Sequence, residues 1–263
     1  MPYLFVTEPR DYSDLASGKV LRSQPGYPAF PIRLASEIFQ RCLARRAASQ
    51  LTAPCVVYDP CCGAGYLLSV IALLHGEAIQ TVIASDIDAQ AVPLAERNLD
   101  LLNANGMDRR RAEIAAMLQQ YGKDSHREAL ESAQRLRQRI VTLGQNHPIH
   151  TQTFQADATD GKSLAANLKD TRVDIVLTDI PYGQHSQWQR TARRDNDADP
   201  VRCILDALRG VLSLQGLVAV TADKNQKVAH EAYRRVEHFQ VGKRRVYIFQ
   251  AATAESINAR VVV

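Results

Sequence analysis

The 263-residue sequence has no Cys-x-x-Cys pair, no strong charge of either sign, and no apolar run near the roughly 20 residues of a membrane helix. Each absence narrows the function. The five cysteines, Cys42, Cys55, Cys61, Cys62 and Cys203, are odd in number and lack Cys/His ligand spacing. Two of them are adjacent, a poor arrangement for gripping one tetrahedral ion. They are expected to be free thiols that behave as small, half-apolar side chains, with no metal bound. A net charge of +4 and a pI near 8.8 permit an anionic partner without demanding one. The opening "MPYLFVTEPRD" is apolar for too few positions and then turns acidic, so a secretory or membrane segment is not expected and a cytoplasmic location is. With 46% hydrophobic and 23% charged residues, the composition suits one large domain, or a domain carrying an insertion.

Within that composition a rhythm is legible. "PCVVYDP" is a short β-branched and aromatic run that predicts a buried strand ending at Asp59-Pro60. "GYLLSVIALLHG" has helical spacing and stops at Gly76. Further strands are predicted at "QTVIASDID", "IHTQTFQADA", "VDIVLTDIPYG", "GLVAVTA" and "RRVYIFQA". Helices are predicted at "AQAVPLAERNLDLL", "GKSLAANLK", "VRCILDALRGVL" and "KVAHEAYRRVEHF". Strands alternating with helices imply an α/β fold with a mostly parallel sheet covered on both faces.

Two segments break the rhythm and set the expected domain limits. Residues 1–50 carry turn signals at "SQPGYPAFP" and an amphipathic helix, "IRLASEIFQRCLARR". Residues 104–148 hold two charged helical stretches joined around "YGKDSH", with Leu130, Ala133, Leu136 and Ile140 near one face of the second. The remaining residues, 51–103 and 149–263, form the expected core. Arg109, Arg110, Arg111, Arg135, Arg137 and Arg139 make the insertion basic. It reads either as a packed hairpin with a solvated outer face or as a nucleic-acid arm.

The chemistry concentrates at strand ends. In "DPCCGAG", Gly63 and Gly65 permit the backbone to pass close to a ligand. The third glycine of a dinucleotide fingerprint is replaced by Leu68, which argues against a nicotinamide or flavin. Asp59 before the loop would repel a pyrophosphate, yet suits a ligand bearing an amino group and a sulfonium, S-adenosylmethionine. Asp86 ends the second strand about twenty residues after the glycines, where an acid meets ribose hydroxyls in nucleotide-binding folds. Asp157 ends the third strand and is placed to accept from an adenine amino group. Strand ends also carry Asp for turn or capping reasons, so these acids weigh as a set.

"LTDIPYGQ" follows the fourth strand. It is similar to the (Asn/Asp)-Pro-Pro-Tyr signature of methyltransferases that modify a nitrogen of a planar base, with Ile180 in place of the first proline. Such a nitrogen is a poor nucleophile because its lone pair is delocalised. Asp179 could polarise or deprotonate it, Pro181 stiffen the turn, and Tyr182 stack on the base. The same residues also make an ordinary turn. A paired base cannot reach such a pocket and must be single-stranded or flipped out. "QHSQWQRTARR" comes next, and its Trp188, Arg190, Arg193 and Arg194 suit stacking and phosphate contacts as well as they suit a solvated loop.

The stretches "SQPGYPAFPIRLASEIFQ", "YDPCCGAGYLLSV", "VIASDIDAQA" and "VLTDIPYG" resemble the avilamycin-resistance (AviRa) ribosomal RNA methyltransferases, over the N-terminal segment and the core to about residue 186. The resemblance implies a Rossmann-like seven-stranded class I methyltransferase sheet with an antiparallel last strand. It also implies S-adenosylmethionine as cofactor and a guanine of 23S ribosomal RNA as substrate. The reacting atom is N1 by the family's common assignment, and N2 by the usual link of such motifs to exocyclic amino groups. Candidate cofactor contacts are Asp59, Pro60, Cys61, Gly63, Gly65, Asp86, Asp157 and Ala158, with a reaction centre at Asp179, Pro181 and Tyr182. Methylation of transfer RNA or DNA, and a non-catalytic RNA-binding module, are the rival readings.

Overall fold

Parallel strands buried on both faces need nearly unbroken apolar runs, and β1 (Cys55–Asp59), β2 (Ile79–Asp86) and β4 (Val173–Asp179) supply them. The computed structural model describes residues 3–180 and 199–251. Their strands form one sheet completed by β3 (His150–Gln155), β5 (Leu212–Asp223), β6 (Tyr233–Val241) and β7 (Arg244–Ala251). The order is β3-β2-β1-β4-β5-β7-β6, and β7 runs antiparallel to both of its neighbours. This is the seven-stranded, mostly parallel sheet that the family resemblance implied; the residue pattern by itself located six of the strands.

Helices cover both faces. On one lie α1 (Ile32–Ala48), α2 (Tyr66–His75), α3 (Ala91–Leu99), α4 (Ala104–Tyr121) and α5 (Asp124–Asn146), whose apolar sides join a core with Val57, Val82, Ile175 and Ile248. On the other lie α6 (Gly161–Leu168) and α7 (Pro200–Arg209), packed against Tyr58, Ile83, Val176 and Phe249. Pro93 falls in the first turn of α3, where its missing N–H has no helical partner to lose. Among the described residues, no helix is long and apolar enough to cross a membrane.

The sequence pattern misleads at residues 227–239, which it predicts to be helical. Instead Tyr233–Val241 is the edge strand β6. Its register with β7 slips between Arg235 and Glu237, so Val236 is an extra residue. That bulge breaks the strict alternation by which a strand is recognised and leaves apolar spacing that imitates a helix. β6 then turns Phe239 and Val241 toward the α1 face of the sheet.

In the α4–α5 pair the arginines are engaged mainly with the protein's own acids. Ala133, Leu136 and Ile140 are buried and Leu130 packs beside them. Arg109 pairs with Asp100, Arg111 and Arg137 with Asp108, Arg135 with Asp14, and Arg110 with Glu113. Arg139 donates to the Leu74 carbonyl. Arg109, Arg135 and Arg139 thus tie the hairpin to the body of the protein, as does Arg110 through the Val20 and Lys19 carbonyls, while Arg111 and Arg137 join its two helices at Asp108.

The first residues are fastened by one carboxylate. Glu37 on α1 is 0% exposed and accepts hydrogen bonds from the backbone N–H groups of Leu4, Phe5 and Val6. Arg41, one turn on, donates to Glu37 and also meets Glu237 of β6, which Arg45 grips as well. Burial pushes the Glu37 carboxyl up, but these donors outweigh it and hold it below the ordinary range. Its stabilisation is therefore present above the unfolded pKa and lost as pH falls through the folded one. Glu37→Leu is expected to destabilise the protein by about 3 kcal/mol in urea unfolding at neutral pH, with the deficit shrinking in acid.

Candidate functional site

In a strand, alternate residues share a face, and this period gathers three acids. Val57 precedes Asp59 by two, Ala84 precedes Asp86 by two, and Leu177 precedes Asp179 by two. Val57, Ala84 and Leu177 all belong to the core under α1 and α2. The carboxylates that end β1, β2 and β4 therefore emerge on one face at the carboxyl edge of the sheet, where α/β folds bind ligands.

Between them runs the loop from Pro60 to Gly65, tied down by its backbone. Cys62 N–H donates to the Ser85 carbonyl at 3.0 Å, Gly65 N–H to the Cys62 carbonyl at 2.8 Å, and Gly63 N–H to Asp86 Oδ2 at 2.8 Å. Asn98, 0% exposed, donates to the Ala64 carbonyl and also exchanges hydrogen bonds with the backbone of Arg22. Gly63 and Gly65 have φ of +50° and +70°, a region that costs any other residue strain. A Cβ on Gly65 would also lie 3.1 Å from the Cα of Ala95, so α3 can pack against the loop only because glycine is there.

The carboxylates are held away from their ordinary state. Asp59 is 2% exposed and accepts from Cys61 N–H at 3.0 Å. Burial, with a contribution from neighbouring Asp86 and Asp179, raises its pKa to about 8. Burial raises Asp86 too, against the N–H groups of Asp88 and Gly63 that it accepts from. Asp179 is raised to about 7 by burial, partly offset by the positive charge of Arg244. Its Oδ1 is buried with no hydrogen-bond partner. Burial and the nearby carboxylates push the Cys61 and Cys62 thiols up, so neither is an activated thiolate.

Of the residues singled out in the sequence, Asp59, Pro60, Cys61, Gly63, Gly65, Asp86 and Asp179 come together at this edge. Asp157 lies just past β3, where Ala156 N–H donates to the Asp86 carbonyl. The Asp157 carboxylate accepts from Thr159 N–H and Oγ1, which shapes a turn, and Ala158 is buried beside it. Pro181, Tyr182, Trp188, Arg190, Arg193 and Arg194 lie outside the described residues.

Three neighbours went unnoticed in the sequence. Tyr27 donates its hydroxyl to Asp88 Oδ2 at 2.6 Å, and its ring comes within 3.4 Å of where a Cβ on Gly63 would be. Burial and Asp88 push that phenol up to about 12. Phe30 is buried with the Arg244 guanidinium 5.6 Å from its ring centre. "GYPAFP" offered only turn signals, and Arg244 looked like a strand's first residue. Two surface cavities of about 170 and 320 Å³ are lined instead by residues such as Arg45, Arg46 and Arg234, and Arg22, Arg97 and Arg110, and neither includes a crevice carboxylate.

The crevice can hold a cationic ligand. It offers a close-approach backbone loop, raised carboxylates that a positive charge would return to their ionised form, and a buried acceptor, Asp179 Oδ1, awaiting a donor.

The family model described as rRNA methyltransferase AviRa matches residues 1–244. A curated protein of Streptomyces viridochromogenes, 23S rRNA (guanine(2535)-N(1))-methyltransferase, is 41% identical over 250 residues, spanning 95% of this chain and 96% of that one. Two solved structures of rRNA methyltransferase AviRa from the same organism superpose with a TM-score of 0.84, at 39% and 37% identity. In each, 98% of this chain and 99% of the other are covered.

The loop geometry can be checked directly. Gly65→Ala is expected to lower stability by about 1–3 kcal/mol in chemical denaturation. Gly210→Ala, where an added Cβ meets nothing within 4 Å, is the control and is expected to leave the midpoint unchanged.

Proposed function

The chain belongs to the AviRa family of rRNA methyltransferases, and from that premise we propose that it transfers a methyl group from S-adenosylmethionine to N1 of a guanine in 23S ribosomal RNA. The observation that carries this reading is the set of raised carboxylates, one buried and two half-buried, on one face of three adjacent strand ends. Such a cluster is costly until a cation arrives, and it sits around a glycine loop rather than around metal-ligand spacing.

In this reading Asp59, Asp86 and the backbone of Pro60 to Gly65 hold the cofactor, with Asp157 and Ala158 beside its base. When bound, S-adenosylmethionine supplies an electrophilic methyl carbon on a positively charged sulfur. Asp179 does the work on the RNA side. Guanine N1 carries a hydrogen that must leave, and a carboxyl near pH 7 is matched to taking it. The burial that raises Asp179 also sharpens its hydrogen bond to the base. Pro181 and Tyr182 of the same motif would stiffen the turn and clamp the ring, while Trp188, Arg190, Arg193 and Arg194 would meet the strand around it. The target guanine has to be unpaired or flipped to enter.

Four outcomes are expected. With tritiated cofactor and 23S ribosomal RNA, the label should appear in N1-methylguanine. Asp179→Asn should reduce transfer at least about 100-fold while S-adenosylhomocysteine still binds. A target guanine replaced by inosine keeps N1–H and lacks the N2 amine, so it should remain a methyl acceptor. Label on N2, or none in RNA, overturns the proposal. Cofactor affinity should also depend on pH. Asp59 near 8 and Asp179 near 7 are partly protonated at neutral pH, and a cation favours their ionised forms. Binding of S-adenosylmethionine should therefore tighten from pH 6 to 8.5 and release protons, read by calorimetry in buffers of different ionisation enthalpy.

A further inference from the structure

We propose that Arg244 is a second catalytic residue, one that binds O6 of the target guanine and stabilises the negative charge growing there as N1 loses its proton. This rests on the reading of Asp179 as the acceptor of that proton. Arg244 opens β7, far from the motif in sequence, and the sheet carries it to the reaction centre. Asp179 pairs with Thr221 of β5, and Thr221 pairs with Val246 of β7. Arg244 is two residues before Val246, so it shares the face on which Asp179 emerges. Phe30 of the N-terminal segment lies against its guanidinium from the covering layer.

What Arg244 lacks is as informative. Its Nε is buried without a hydrogen-bond partner. Among the described residues it forms no ion pair within 4.0 Å, although Asp223 is its direct cross-strand neighbour and Asp179 is close enough to feel its charge. Asp223 Oδ1 is turned to Asn225 N–H instead. A buried donor on Arg244 and a buried acceptor on Asp179 therefore face one crevice without satisfying each other. A planar group presenting a donor beside an acceptor would satisfy both. Guanine does so along one edge, with N1–H next to the carbonyl that bears O6.

The reaction makes that edge anionic. Asp179 takes the N1 proton, and the electron pair left on N1 forms the bond to the methyl carbon. The carbon–sulfur bond breaks with its pair kept by sulfur, which becomes a neutral thioether, and Asp179 later yields the proton to solvent. During transfer the ring's negative charge is shared between N1 and O6. A preorganised guanidinium on O6 stabilises that charge more than it does the neutral ground state, which is the requirement for raising kcat.

The test compares Arg244→Gln and Arg244→Lys with the wild-type protein, using a 23S ribosomal RNA fragment. Arg244→Gln is expected to lower kcat about 100-fold, as removal of one oxyanion donor does, with RNA KM and S-adenosylhomocysteine affinity changed less than about threefold. Arg244→Lys should recover part of the loss, and added guanidinium should partly rescue Arg244→Ala. The charged groups that act on or feel Asp179 are Arg244 from β7 and Asp59 from β1, and Asp223 of β5 is the cross-strand neighbour of Arg244. Losing the cation among them raises the Asp179 pKa, so the acid limb of the kcat/KM profile should move to higher pH. The same shift should appear without turnover in the infrared carboxyl titration of Asp179, assigned by its loss in Asp179→Asn. Wild-type kcat in Arg244→Gln, with an unmoved acid limb, overturns the role of Arg244 while an inactive Asp179→Asn leaves the base intact. An active Asp179→Asn instead overturns the underlying reading. If Arg244→Gln lowers the melting temperature, Phe30→Leu loosens the guanidinium without removing it, and kcat between wild type and Arg244→Gln is then expected; no change in kcat counts against the proposal.

Discussion

Everything at the functional edge depends on carboxylates being kept poorly solvated. Parallel pairing of β1 with β2 and β4 lines up three strand ends, and the two-residue period turns Asp59, Asp86 and Asp179 to the same side. A covering layer of helix and N-terminal chain then buries Asp59 and half-buries Asp86 and Asp179. The resulting repulsion and desolvation oppose folding, and the structure tolerates them because apolar burial elsewhere is extensive on both faces of the sheet. In the proposed reading function follows from that imbalance, since a site that is uncomfortable for its own charges is receptive to a cation and to a hydrogen-bond donor.

The cover is held by specific polar ties rather than by shape alone. Asn98 binds the loop and the Arg22 backbone at once, and Tyr27 reaches Asp88 across the crevice. Farther back, Glu37, Arg41, Arg45 and Glu237 join the first residues, α1 and the edge strand in one network. Several arginines of α4 and α5 serve similarly as fastenings, and others join the two helices or pair within one of them. A basic composition is thus compatible with a protein whose cations largely serve its own architecture.

How much of this the sequence discloses depends on distance along the chain. β1, β2 and β4 are legible because a buried parallel strand is a nearly unbroken apolar run, and Gly63 and Gly65 because only glycine suits their backbone. Asp59, Asp86 and Asp179 are legible because each directly follows such a run. β6 is hidden because its bulge disturbs the alternation, and its partner Glu237 lies 196 residues from Arg41. Tyr27 and Arg244 are hidden for a related reason. Tyr27 meets Gly63 and Asp88, and Arg244 meets Phe30 from the other end of the chain, and no local pattern of residue types encodes either meeting.

The bridge from Arg41 and Arg45 to Glu237 has a consequence for how the molecule comes into being. During synthesis α1 leaves the ribosome long before β6 exists, so the N-terminal strap lacks its far anchor until nearly the whole chain has emerged. The floor of β1, β2 and β4 and the ties of the first residues to Glu37, Asn98 and Asp88 can form before that anchor. A truncated or stalled nascent chain would therefore keep its cover but lack Glu237 between Arg41 and Arg45, and lack Arg244 beside Phe30, until the last two strands emerge.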